Sequence, residues 1–349
     1  MAWTCATSAG LLPVGINAAP LAAARTGVGR YIQGLLDALS RTAPPDVRCV
    51  PLFAPGPAAR GVRGLAKRLP GAYALAEALR AVQLRRAGVT VYHETNHAAP
   101  AFAGPVVLTV HDLSTVLHPR LQEPARARHF GSALRRKAKL ARLVIVPTRA
   151  IAREVVQHLG VDEARIRVIP HGVSGFHAVE GPRAGVLYVG ALDPRKGLVT
   201  LLDALPANAA LTLTGPLDRA PQEVRRRIGG RIRATGYVDD GELARLYASA
   251  AVLVLPSFYE GFGLPLLEAM ASGTPCIASD DAALVEVSGG AALHFPRGDA
   301  GALKLLLGRV LEDPSLRADL AARGLQRARA FSWDQSAALH LEAYREAAG

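Results

Sequence analysis

Short runs of β-branched and other apolar residues alternate along this chain with longer stretches of helical period. In the first half, Leu11–Asn17, Val47–Leu52, Val89–Tyr92, Val106–Val110, Leu143–Val146 and Ile166–Ile169 read as strands. Val28–Leu39, Arg126–Leu140 and Arg149–Leu159 read as helices. This alternation predicts an α/β fold with a parallel sheet and helices on both faces. Around Gly172–Gly185 the chain turns rich in Gly and Pro and loses its apolar period, which marks a domain boundary. The alternation then restarts, with strands at Val186–Val189, Ala210–Leu213, Ile232–Thr235, Val252–Leu255 and Pro275–Ala278 and helices between them. From Asp299 the pattern is helical, through Ala302–Leu311, Leu316–Ala330 and Asp334–Ala347. The expectation is two doubly wound domains that bind ligand in the cleft at the carboxyl ends of their strands.

The 349 residues suffice for two domains, and half of them are apolar, so each can bury its own core. Disordered, collagen-like and disulfide-stapled classes are excluded. Three widely spaced cysteines, Cys5, Cys49 and Cys276, form no pairing framework and point to a reducing cytoplasm. The apolar stretch Ala6–Ala24 is interrupted by Pro13, Asn17 and Pro20 and has no basic residue before Arg25, so neither a membrane span nor a signal peptide is expected. The net charge of +12 is uneven: residues 1–175 balance to +14 and residues 176–349 to −2. A basic half attracts phosphates or anionic surfaces. Arg outnumbers Lys 36 to 5, which a bias of the coding sequence explains equally well.

Several segments carry candidate chemistry. Thr26–Tyr31 follows the first strand and opens a helix; Gly27 and Gly29 there let the backbone approach an anion. Ile32 stands where a dinucleotide fingerprint has its third glycine, so this is not that motif. His93 and His97 spell a zinc-protease pattern, but the preceding strand and Pro100 argue against the helix it needs, and a strand-end loop facing the cleft is expected instead. His111 and Asp112 also sit at a strand's end. Arg195 and Lys196 are adjacent cations at a predicted helix N-terminus, which the helix dipole disfavours unless an anion binds between them. Phe258–Glu268 places Glu260 in a Gly-rich loop and Glu268 inside the following helix, with Gly261, Phe262, Gly263 and Leu264 between. Backbone N–H groups near Gly263 and Leu264 suit a phosphate.

With two glutamates in that spacing, the chain resembles the family 4 retaining glycosyltransferases, which have the GT-B fold of two Rossmann-like domains. Ile169–Val173, Pro194–Gly197, Thr235–Val238 and Phe331–Trp333 match in order, and the resemblance runs end to end. Enzymes described as mannosyltransferases are the nearest in pattern. The resemblance implies an acceptor-binding domain at 1–175, joined by the last helix at 334–349, and a nucleotide-sugar domain at 176–333. It implies that Arg195 and Lys196 bind the donor diphosphate, with help from Gly27, Gly29 and the backbone at Gly261–Leu264. Glu268 would take the ribose hydroxyls, Val238 the base, and Glu260 and His111 the donor sugar, as the catalytic residues. Glu260 is expected to stabilise developing positive charge rather than to form a covalent bond.

The expected donor is GDP-mannose and the acceptor a glycan or lipid-linked sugar, with no metal and no cofactor. A UDP-sugar is the alternative donor. A zinc hydrolase and a nucleic-acid-binding protein are rivals of other classes; the second lacks a stacking platform. The basic predicted helix (Arg126, Arg128, Arg135, Arg136, Lys137, Lys139, with Arg142 beside it) is expected to meet anionic membrane at the cytoplasmic face. Two departures from the family pattern stand out. Ala191 replaces a common Arg, and the stretch between Leu52 and Val89 has no familiar motif.

Overall fold

A computed structural model describes residues 10–22, 26–53, 72–96, 102–119 and 124–349. Its contacts divide the chain into two units. The first comprises residues 1–147, 151–172 and 333–349, and the second residues 148–150 and 173–332.

In the first unit, strand β1 (Leu12–Asn17) leads to helix α1 (Gly27–Thr42) and β2 (Val47–Leu52). Helix α2 (Ala72–Ala87), β3 (Val91–Glu94), β4 (Val106–Thr109), the single turn α3 (Ser114–Leu117) and α4 (Pro124–Leu140) follow. Then come β5 (Leu143–Val146), α5 (Arg149–Glu154) running on as a π-helical turn to Leu159, and β6 (Ile166–Val168). The sheet is parallel, in the order β2-β1-β3-β4-β5-β6. Thr26 caps α1, its hydroxyl accepting the Gly29 N–H at 3.2 Å.

The second unit runs β7 (Val186–Val189), α6 (Leu198–Ala204), β8 (Leu211–Thr214), α7 (Gln222–Arg227), β9 (Ile232–Gly236), α8 (Asp240–Ser249) and β10 (Val252–Leu255). It continues through α9 (Leu264–Ala271), β11 (Cys276–Ser279), α10 (Ala282–Ser288), β12 (Leu293–Phe295), α11 (Ala300–Glu312) and α12 (Pro314–Ala328). This sheet is also parallel, in the order β12-β11-β10-β7-β8-β9. The runs Val186–Val189 and Val252–Leu255 are buried throughout, as strands covered on both faces must be.

The last helix, α13 (Trp333–Ala348), belongs to the first unit and packs on α1. Trp333, Ala337, Leu341 and Tyr344 join Val14, Ile16, Tyr31, Ile32 and Leu35 in one core. A buried polar chain adds to this apolar contact. His340 Nδ1 donates to the Ser336 carbonyl at 2.7 Å, so its Nε2 accepts the Tyr31 hydroxyl at 2.8 Å. With its proton so used, Tyr31 accepts from the Thr109 hydroxyl at 3.0 Å, and Thr109 in turn accepts from His93 Nε2 at 2.7 Å. His93 Nδ1 then accepts the Tyr344 hydroxyl at 2.7 Å. One carbonyl thus sets the direction of every bond in the chain.

One expectation is corrected here, and two elements appear that the sequence pattern did not assign. Strand β3 extends to Glu94, so His93 and Glu94 lie fully buried in the sheet rather than in a loop. Their polar groups find partners far away in sequence, which is what lets them enter the core. The segment Ala72–Ala87, which carries no familiar motif, is helical. Leu293–Phe295 forms an unanticipated edge strand paired with β11.

Candidate active site

The polar constellation in the second unit grows from two loops at the carboxyl ends of β7 and β10. Beyond β7, Pro194–Lys196 make one 3-10 turn, and Gly197 (φ 65°) turns the chain into α6. A Cβ at Gly197 would lie 2.0 Å from the Pro256 carbonyl oxygen, so only glycine lets the two loops meet. The Phe258 N–H donates to the Arg195 carbonyl at 2.9 Å, and Arg195 Nη1 donates to the Tyr259 carbonyl at 2.7 Å. The two cations lie in the 3-10 turn that leads into α6, at the helix N-terminus where they were expected, and the anion they face is a side chain of the same unit.

That anion is Glu260. Lys196 Nζ donates to its Oε1 at 2.6 Å and the Ser257 hydroxyl to the same oxygen at 2.7 Å, while Arg195 Nη1 lies 3.9 Å from Oε2. Burial pushes the Glu260 carboxyl up, but Lys196, Arg195 and the Ser257 bond outweigh it and hold it below the usual value. The Ser279 hydroxyl donates to the Ser257 carbonyl at 2.6 Å, fixing the loop from β11. Asp281 Oδ2 accepts the Glu260 N–H at 3.3 Å, and Oδ1 caps α10 by accepting the N–H groups of Ala283 and Leu284. Burial, and then the Glu260 charge, raise Asp281 to about 6.

Helix α9 starts at Leu264 with Pro265 in its first turn, after Gly263 at φ 88°. A Cβ on Gly263 would come within 2.4 Å of Leu284 Cδ2. The Phe262 ring turns into the core, edge-on to Phe331 at 5.8 Å, and Leu264 is buried too. These two can offer a ligand only their backbone, in a turn whose N–H groups have no intrahelical acceptor. The Gly261 carbonyl accepts the Thr148 hydroxyl at 3.1 Å. Glu268 is buried inside α9 and accepts the Tyr247 hydroxyl at 2.8 Å. Val238 is half-buried beyond β9, next to the exposed Tyr237. At the family departure, the Ala191 carbonyl accepts the Tyr188 hydroxyl at 2.7 Å.

In the first unit, Gly27 and Gly29 open α1. A Cβ at Gly29 would meet only Thr26 Oγ1, at 3.7 Å, so packing within the chain does not require glycine there. His111 follows β4; its Nε2 donates to the Thr95 carbonyl at 3.0 Å and its ring lies edge-on to Tyr31 at 4.9 Å. His93, of the zinc pattern, sits in a strand with both ring nitrogens engaged, and His97 lies outside the described residues. Among the described residues no cluster of three or more His, Cys, Asp or Glu is arranged to hold a metal. No helix among them is long and apolar enough to cross a membrane.

Ser257, Asp281 and Tyr247 complete the constellation and were not singled out from the sequence. Only Asp281 left a signal there, an acid just before a helix, and that reads as an ordinary cap.

The family model for "Glycosyltransferase Family 4" matches residues 25–174, and that for "Glycosyl transferases group 1" matches residues 183–313. The O-antigen chain mannosyltransferase B of Escherichia coli is 32% identical over 281 residues, covering 73% of this chain and 74% of that protein. The MMP alpha-(1->4)-mannosyltransferase of Mycolicibacterium hassiacum is 33% identical over 273 residues, 70% of this chain and 66% of that one. Among solved structures, sucrose-phosphate synthase from Thermosynechococcus elongatus superposes with a TM-score of 0.75 at 24% identity, covering 96% of this chain and 98% of the other. Anabaena HepE, solved in complex with UDP-glucose, superposes with a TM-score of 0.71 at 18% identity over 95% of this chain and 99% of that one. Two parallel six-stranded units, both family models in order and a relative at 32% identity lead to one conclusion: the chain belongs to the family 4 glycosyltransferases of GT-B fold.

Proposed function

We propose that this glycosyltransferase moves a hexose, mannose, from GDP-mannose to a glycan or lipid-linked acceptor with retention of anomeric configuration. The observation that carries the reading is the nearly enclosed group of Arg195 and Lys196, from the turn before α6, with Glu260, from the loop before α9. Two cations and a helix N-terminus suit a diphosphate, and they gain most when that diphosphate leaves with growing charge. A carboxylate held ionised among them suits the positive charge that develops on the sugar carbon. Glu268 then takes the ribose hydroxyls, Val238 the base through its backbone, and His111 the sugar, as the family resemblance implies. Gly27, Gly29 and the backbone of Gly261, Phe262, Gly263 and Leu264 assist at the phosphates.

Mannose is favoured because the similar proteins are described as an O-antigen chain mannosyltransferase and phosphatidyl-myo-inositol mannosyltransferases. The reaction is expected to need no metal and no cofactor, and to take place in the cytoplasm. On α4, Arg135, Arg136 and Lys139 are exposed and suit contact with anionic lipid near a lipid-linked acceptor. Loss of vesicle binding at low salt on neutralising Arg136 and Lys139 is the expected result; binding that does not change refutes that contact.

The test is thermal shift with GDP, UDP, ADP and their mannose and glucose forms, followed by transfer assays. At a hundred times its dissociation constant a ligand stabilises the fold by about 2.7 kcal/mol. A shift with GDP and GDP-mannose alone supports the reading. A shift with uridine nucleotides keeps the family and replaces the donor. No shift with any nucleotide refutes the diphosphate site.

A further inference from the structure

Glu94 is the last residue of β3, fully buried, and takes no part in the donor site of the second unit. Its carboxylate accepts from three donors: Asn17 Nδ2 at 2.7 Å and the Asn96 N–H at 2.8 Å on Oε1, and the Tyr92 hydroxyl at 2.8 Å on Oε2. These bonds hold both flanks of Thr95. From one side the Thr95 hydroxyl donates to the Asn17 carbonyl at 2.6 Å. On the other side the Thr95 carbonyl accepts from His111 Nε2 at 3.0 Å. A carbonyl carries no proton, so the proton of neutral His111 sits on Nε2 and Nδ1 is the acceptor.

Desolvating a carboxylate costs several kcal/mol, and the three donors from Asn17, Tyr92 and Asn96 offset that cost while the carboxylate ties their segments together. We propose that Glu94 is a positioning residue: by fixing Asn17 and the Thr95–Asn96 backbone it aims the Thr95 carbonyl at His111 and so sets its tautomer. His111, held in this way, then meets the transferred sugar. That last step rests on the sugar-contacting role given to His111 under the proposed function; the tautomer does not.

The test is Glu94→Gln in the full chain. The amide keeps the shape but turns one acceptor into a donor facing other donors. Nitrogen-15 NMR of histidine-labelled protein reads the His111 tautomer directly, with the resonance assigned by its loss in His111→Ala. The expected result is a folded protein whose His111 spectrum moves from the single Nε2–H pattern toward a mixture, with kcat down ~10- to 100-fold and donor KM little changed. Tyr92→Phe removes only the bond to Oε2; it should give a smaller change of the same sign, and it carries the test if the Gln variant does not fold. A His111 spectrum unchanged in a folded variant overturns the proposal, whatever the rate does. A moved tautomer with unchanged kcat supports the positioning role and overturns the sugar-contacting role of His111.

Discussion

Lys196 Nζ and Glu260 Oε1 are 2.6 Å apart, and both side chains are nearly enclosed, 15% and 11% exposed. The cation assigned to the diphosphate therefore also keeps the assigned catalytic carboxylate charged. The sign for Glu260 follows from its lowered value: the pair contributes stability above the ordinary carboxyl range, and that stability is lost as pH falls through the lowered folded value. Lys196→Ala should abolish this contribution and raise the Glu260 value. It should also weaken nucleoside diphosphate binding by about 1.5–3 kcal/mol, the worth of one hydrogen bond to a charged group. Calorimetric titration with GDP and UDP checks it; unchanged affinity would remove Lys196 from the phosphate site.

Glu260→Gln separates charge from shape. The amide can still accept from Ser257, but the negative charge is gone. Turnover should fall ~100- to 1000-fold, the scale of losing one preorganised electrostatic contact, while nucleotide affinity changes little. Asp281 supplies an internal control, since the Glu260 charge is the second cause of its rise to about 6, after burial. In the variant Asp281 should titrate lower. Its raised value lets the folded state hold a proton that the unfolded state releases, so its contribution to stability falls as pH rises toward 6. That fall should shrink in the variant. Carbon-13 NMR of the carboxyl groups reads the shift, and an unmoved Asp281 resonance means that the two acids do not sense each other.

The fold was legible wherever burial is a local property. Val186–Val189 and Val252–Leu255 are strands with the expected bounds, because both faces are covered and the apolar run is continuous. It was not legible where a polar residue enters the core on the strength of a distant partner. His93 is matched by Thr109 and by Tyr344, 251 residues on, and Glu94 by Asn17, 77 residues back. Reading along the chain ended that strand at Tyr92. Strand Leu293–Phe295 is three residues long, with His294 at its centre bonded to Ser288 and Ser279, and so small a run carries no period. Arg195, Lys196, Glu260 and Glu268 were visible through Gly-rich turns and spacing. Asp281 was not, because its tie to Glu260 exists only once the ends of β10 and β11 lie side by side, and Ser257, three residues before Glu260, reads in the sequence as an ordinary loop serine.

Two glycines of α1 make opposite predictions. At Gly34 a Cβ would lie 2.3 Å from Trp333 Cε2, where α1 meets the last helix. Gly34→Ala should destabilise the protein by ~1–3 kcal/mol through overpacking. At Gly29 the nearest atom to a Cβ is 3.7 Å away, so Gly29→Ala should fold with no loss of stability and gain slightly in helix propensity. If the backbone there approaches the donor phosphates, the second variant keeps its melting temperature and loses transfer activity. Full activity in Gly29→Ala would remove this turn from the donor site.

Acid should loosen the last helix before it affects the second unit. His340 is pushed down to about 4 by burial, and His93 and His171 lie well below their usual value for the same reason. Each is neutral in the fold and takes a proton readily once unfolded. Of the groups facing His340, the Ser336 carbonyl on its own helix raises its value, His111 lowers it once acid has protonated that ring, and Tyr31 on α1 donates to it. Between the unfolded value near 6.5 and the folded value the unfolded state holds more protons, so stability rises with pH through that window and is lost as pH falls. For His340 alone the loss is about 3 kcal/mol, complete near pH 4. Urea unfolding from pH 7.5 to 4.5, followed by Trp333 fluorescence in a Trp3→Phe background, should show this slope. His340→Gln keeps a donor and an acceptor but cannot be charged in this range. It should be less stable at neutral pH and show a shallower acid limb; parallel curves for the two proteins would mean that the buried histidine chain does not set the acid sensitivity of the first unit.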